Sequence, residues 1–173
     1  MEQVVLVDND GNAVGIAEKI EAHQKGWLHK AFSVLIFNSK NEILLQQRAL
    51  TKYHTPGLWS NSCCSHPRPD EALEDAVHRR LQEELGFDTK VEKSLDFVYK
   101  FLDEPTQLWE HEHDTVFVGY YDGEVPFNKE EVEAVQWISF ADLMAWMQRS
   151  PKEFTYWFRV FLPKVMSQLE TKV

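Results

Sequence analysis

The sequence predicts an α/β sandwich around a mixed sheet, and three observations carry that prediction. Apolar runs of strand length come in pairs around turn signals, one central stretch carries a helical apolar repeat closed by glycine, and two further helical stretches end the chain. In order, "VVLVD" and "AVGIAEKI" flank the turn signal "NDGN" and read as a hairpin. "AFSVLIFN" and "EILLQQR" read as a second hairpin around "NSKN". From Glu71 to Leu85, the residues Leu73, Ala76, Val77, Leu81 and Leu85 recur at helical spacing, and Gly86 supplies the stop. "LDFVYKF", "TVFVGYY" and "AVQWI" read as further strands. "FADLMAWMQ" reads as a helix capped by Ser139, and a longer helix lies within "TYWFRVFLPKVMSQLE", where Pro163 should kink or interrupt it. No repeat or linker divides the chain, so residues 1–173 are expected to form one domain.

Composition narrows the class. Hydrophobic residues make up 43% and aromatics 13%, enough for a packed core and a lined pocket. A formal net charge of -10 argues against nonspecific binding to nucleic acid or an anionic membrane, while leaving room for a local basic pocket around a small anion. The start has no basic segment before an apolar run, and no stretch is long and apolar enough to span a bilayer. A cytoplasmic protein without nucleic-acid or membrane partners is the expectation.

Both cysteines sit in "WSNSCCSHP". Adjacent Cys63 and Cys64 are badly placed to bridge each other, and there is no third cysteine, so a disulfide is excluded first. A metal site, a reactive thiol and packing stay open. The charges of "EALEDAVHRRLQEELGF" taken alone describe a solvated helix laced with i,i+4 ion pairs.

The wider pattern points further. Glu71, Arg79, Glu83, Glu84 and Gly86 resemble the Nudix box, a loop–helix–loop that holds divalent metal against a diphosphate. Ser65 stands where its opening glycine would be, and Arg80 replaces the acid that follows its arginine, which weakens the case for diphosphate cleavage. Together with "GIAEKIEAH", "LHKAFSVLIFN", "PGLWSNSCCSHP", "RRLQEELG" and "WEHEHD", the chain resembles the type I isopentenyl-diphosphate isomerases, metal-dependent isomerases on the Nudix fold. The resemblance implies a Nudix-type α/β/α sandwich with a mixed central sheet, α+β in class, and conversion of isopentenyl diphosphate to dimethylallyl diphosphate through a carbocation-like intermediate.

It also implies a site. His23, His29, His66, Glu110 and Glu112 match the family's metal ligands, for one divalent ion, Mn2+, Mg2+ or Zn2+. Strand alternation independently puts Glu110 and Glu112 on one face and His111 and His113 on the other. Five or six such ligands suit octahedral manganese or magnesium better than structural zinc. Glu84 matches a ligand of the Mg2+ that accompanies the substrate diphosphate. Cys64 and Glu112 match the two proton carriers, Tyr99 a tyrosine beside the acid, and Trp157 the aromatic face for the cation. Lys19, Arg48, Lys52 and Arg80 match the diphosphate contacts. Cys63 reads as the inert neighbour; His54, His78, His111 and His113 read as surface or satisfied core residues. A Nudix hydrolase of a nucleoside or prenyl diphosphate, or a noncatalytic binding module, are the competing functions. A monomer or weak homodimer is expected.

Overall fold

The computed structural model describes residues 1–171. The predicted first hairpin forms from β1 (Gln3–Val7) and β2 (Ala13–Glu18), antiparallel from Gln3↔Glu18 onward. The strand reading of "AVGIAEKI" runs two residues too far. Lys19–Lys25 forms α1, because the Glu18 carboxylate caps it by accepting from the Ile20 and Glu21 amides, and Gly26 closes it in the left-handed region at φ 70°.

The second predicted hairpin, β3 (His29–Phe37) and β4 (Glu42–Arg48), is paired only at its turn, at Phe37↔Ile43. Beyond that point the strands part, and the segment after β4 fills the gap. Its β5 (Trp59–Ser60) pairs with β4, and its β6 (Cys63–Ser65) pairs with β3 at Phe32↔Ser65, Ser33↔Cys64 and Val34↔Cys63. The polar side chains between them supply the missing ladder bonds. Ser62 Oγ accepts from the Ile36 amide and donates to the Leu44 carbonyl, while Asn61 Nδ2 donates to the Val34 and Cys63 carbonyls. The "SNS" preceding the cysteines is therefore structural.

β3 continues the sheet on its other edge with a parallel pairing to β8 (Leu108–Tyr120), which in turn pairs antiparallel with β7 (Val91–Asp103); β9 (Val132–Ser139) pairs with β4. Strand alternation then builds two cores. Leu35, Phe37, Ile43, Leu45, Val116 and Val118 face α3 (Phe140–Arg149) and α4 (Tyr156–Thr171), while Phe32, Val34, Ile36, Leu44 and Phe117 face α2 (Leu73–Leu85). Helices cover both faces, as the predicted sandwich requires. Ser139 caps α3 by accepting from the Asp142 amide. Pro163 does not interrupt α4: Phe158, Phe161, Leu162 and Val165 keep one side of it buried across the proline. Among the described residues, no helix is long and apolar enough to cross a membrane.

Candidate active site

The site gathers where α1, the loop after β4, β6 and one end of the β7–β8 hairpin meet α4. His23 comes from α1, His29 opens β3, His66 follows β6, and Glu110 and Glu112 lie two apart on β8. All five are buried.

Main-chain carbonyls decide how two of the imidazoles present themselves. A carbonyl only accepts, so the Nδ1–H of His23 donates to Lys19 O at 2.7 Å and that of His29 donates to Trp27 O at 2.9 Å. Both rings therefore turn an Nε2 lone pair inward, the arrangement seen when imidazoles ligate metal. His29 Nε2 lies 3.2 Å from His66 Nε2 and 3.0 Å from Glu112 Oε2, and His66 Nε2 lies 2.6 Å from that same oxygen. His23 Nε2, 3.6 Å from Glu110 Oε2, has no hydrogen-bond partner among the described residues. Inward lone pairs and nitrogens that face one another are poorly satisfied by each other, so the donor set fits a divalent cation. Burial pushes the His66 imidazolium down to about 4, which favours the neutral, ligating form. Burial opposes ionisation of both glutamates, but the adjacent His54 for Glu110 and His66 for Glu112 hold them below the usual carboxylate range.

Cys64 and Glu112 line one pocket of about 40 Å³, room for an ion or a water. Tyr99 lies across from Glu112 in the β7–β8 register and its hydroxyl donates to Glu112 Oε1. Burial, then Glu112, raises the Tyr99 phenol well above its ordinary value, so it stays a donor. Cys64 points to the α4 side, where Arg48 Nη1 donates to its sulfur at 3.9 Å. Burial pushes its thiol up to about 12, against the pull of Arg48. Trp157 is held by its Nε1–H on Asn61 Oδ1 at 3.2 Å, and its ring lies 5.6 Å from the Arg48 guanidinium carbon. That ring already has a cation over it.

Lys19, Lys52 and Arg80 line the cavity with Arg48. Each has an acidic partner: Lys19 pairs with Glu2 at 3.1 Å, Lys52 with Glu131, and Arg80 Nη2 with Glu131 at 3.4 Å.

The chain as a whole is similar to known proteins. A NUDIX domain profile matches residues 27–158. "Isopentenyl-diphosphate Delta-isomerase 2" of Photorhabdus laumondii is 48% identical over 158 residues, covering 91% of this chain and 89% of that one. "Isopentenyl-diphosphate Delta-isomerase" of Burkholderia multivorans is 48% identical over 163 residues, covering 94% and 92%. The chain belongs to the isopentenyl-diphosphate Delta-isomerase family of NUDIX proteins. A solved Deinococcus radiodurans structure superposes with a TM-score of 0.69 at 17% identity over 86% of this chain and 90% of that one, which speaks for the fold alone.

Within the family frame, the NUDIX helix is mostly structural here. Arg79 grips Glu71 with two bonds, Nε to Oε2 at 2.8 Å and Nη2 to Oε1 at 2.9 Å. Arg80 Nη1 donates to Glu83 Oε2 at 2.5 Å, and its Nη2 stands 3.5 Å from Glu84 Oε1. His23, His29, Tyr99 and Glu84 do not line the cavity itself, and Glu84 is buried behind Cys63, whose thiol donates to Glu84 Oε2 at 2.8 Å. Cys63 thus faces away from Cys64, as alternation requires, but it has a polar partner rather than pure packing. Sequence reasoning did not single out Asp114, and it read His54 as a surface or satisfied core residue. Asp114 accepts from Ser33 Oγ at 2.8 Å, and burial, then Glu112, raises its carboxyl well above the ordinary range. His54 lies 2.7 Å from Glu110 Oε1. The signal for Asp114 was its place two residues beyond Glu112 on the same strand face; His54, in a loop, has no periodicity to reveal it.

Proposed function

We propose that this isomerase converts isopentenyl diphosphate to dimethylallyl diphosphate with Cys64 and Glu112 as the two proton carriers. The double bond moves by one position when a proton adds to the terminal alkene carbon and another leaves the carbon next to the oxygen-bearing one. Positive charge in between resides on the tertiary carbon. The observation that carries the reading is that a thiol, a carboxylate bonded to a tyrosine, an indole face and four cationic side chains share one small pocket. Cys64 and Glu112 come from β6 and β8, the strands flanking β3, so they reach the site from separate strands.

A positioned acid or base contributes about 10²–10⁴-fold, too little by itself for an unactivated alkene. Trp157 adds to this: an aromatic face stabilises a desolvated cation by about 2 kcal/mol or more, and its ring is fixed by Asn61. Lys19, Arg48, Lys52 and Arg80 take the diphosphate, displacing Glu2 and Glu131 from the cations they hold. His23, His29, His66, Glu110 and Glu112 would hold one divalent ion, manganese, magnesium or zinc, whose charge keeps Glu112 ionised and oriented. Glu84, 3.5 Å from Arg80, would be the helix carboxylate to hold a magnesium brought by the diphosphate, and would need Arg80 to turn to the substrate first. The enzyme acts in the cytoplasm as a monomer or weak homodimer on a small soluble diphosphate.

The hydrolase reading is disfavoured by Arg80, which sits against both helix carboxylates that a catalytic magnesium would need. One experiment separates the functions. Metal-loaded protein in D₂O with isopentenyl diphosphate, followed by NMR, is expected to give dimethylallyl diphosphate carrying deuterium. Release of phosphate would make it a hydrolase, and binding without turnover a noncatalytic module.

A further inference from the structure

His54 touches both halves of the site: its ring atoms lie near enough to His23 and Glu110 to be grouped with them around an ion, yet it is outside the five-ligand set that the family resemblance implies and outside the proton pair. Its ring is buried, with Nε2 2.7 Å from Glu110 Oε1 and Nδ1 3.2 Å from Arg48 Nη2. The polarity of the second contact is decisive. A guanidinium only donates, so Nδ1 of His54 must be the acceptor, and the neutral ring carries its hydrogen on Nε2. This reverses the pattern of His23 and His29, where Nδ1–H donates to a carbonyl and Nε2 is left with a lone pair. His54 therefore presents a hydrogen, and not a ligand pair, to Glu110. The contact to Oε1 is short but bent, and that oxygen has no aligned partner among the described residues.

We propose that His54 is a positioning residue that couples the metal cluster to the thiol pocket, its Nε2–H holding Glu110 Oε1 while its Nδ1 holds Arg48. The first bond leaves Glu110 Oε2, the oxygen nearer His23, for the cation. The second keeps the guanidinium over Trp157 and against Cys64. The inference rests on the reading of Glu110 as a metal ligand.

Two substitutions separate the two arms, since a glutamine amide nitrogen takes the place of Nε2 and an asparagine oxygen that of Nδ1. His54→Asn is expected to keep Arg48 in place and lose Glu110. Its metal affinity, measured by chelator competition, should weaken about 10–100-fold, with the iodoacetamide alkylation rate of Cys64 unchanged. His54→Gln is expected to keep metal affinity, alter that alkylation rate and raise KM for isopentenyl diphosphate by up to about tenfold. Equal effects of both variants on both readouts, or no effect of either, would overturn the proposal. The native protein provides an arm that needs no substitution. Loaded with diamagnetic zinc or magnesium, its two-bond ¹H–¹⁵N spectrum must show His54 as the Nε2–H tautomer; a metal-bound Nε2 or a doubly protonated ring would sink the coupling. That result leaves the D₂O experiment untouched, so failure of the coupling and failure of the isomerase chemistry are distinguishable.

Discussion

The two cysteines divide the labour of one residue type between two faces of a strand. Cys64 turns toward Arg48 and the cavity, and Cys63 toward Glu84 and α2. Cys64→Ala removes a proton carrier and is expected to lower kcat/KM by about 10²–10⁴-fold. Cys63→Ala leaves a buried carboxylate without its donor, which costs about 1–3 kcal/mol of stability in urea unfolding, yet turnover should stay within about tenfold of the parent. Cys63→Ser, which keeps a donor, should recover part of the stability. Equal kinetic loss at both positions would contradict the assignment. At this scale much was legible: adjacency ruled out a disulfide, and alternation sent the two thiols apart. The bond from Cys63 to Glu84 was not legible, because it joins a strand to a helix that passes behind it.

α2 shows how a motif becomes an element. Its N-terminus has no side-chain cap on Ala72; instead Glu71, just before the helix, accepts from the Arg68 amide and clamps Arg79 eight residues on. The predicted start at Glu71 falls two residues early for that reason. At the other end Gly86 has φ 73°, and a Cβ there would meet the Pro126 carbonyl oxygen at 2.4 Å, so the stop read from sequence is also a packing requirement. The bond from Arg79 holds the Glu71 carboxyl down to about 2. A folded value below the ordinary 4.5 means that the stabilisation is fully present above about pH 4.5 and is lost as the pH falls through about 2. Urea unfolding between pH 2 and 6 should therefore show the parent losing more stability on acidification than Glu71→Gln, with the variant weaker by about 1 kcal/mol at neutral pH. Matching slopes would remove the clamp from the account. The splitting of β3 from β4 was the element that sequence misread, since a turn signal fixes where two strands meet and not how far they stay together.

At the scale of the whole molecule, the His/Glu group able to hold a metal ion brings α1, β3, the end of β6 and β8 to one point. Chelated protein should melt lower than protein resupplied with manganese: ligand at 100 times its Kd adds about 2.7 kcal/mol, roughly 5–10 °C for a chain of this size. A Tm that does not move at saturating metal would argue against a binding site in the native fold. The sequence by itself determined which side chains share a face and where elements stop, because alternation and helical spacing are local properties of the backbone. It also carried the family resemblance, since the order of its motifs survives along the chain. Only the tertiary structure decided which faces meet. The parallel register of His29 with Glu112, the wedge of β5 and β6 between β3 and β4, and the arrival of loop-borne His54 between Glu110 and Arg48 all depend on contacts between segments far apart in the chain. No local period encodes them; they follow from how two buried cores and one sheet can be closed together.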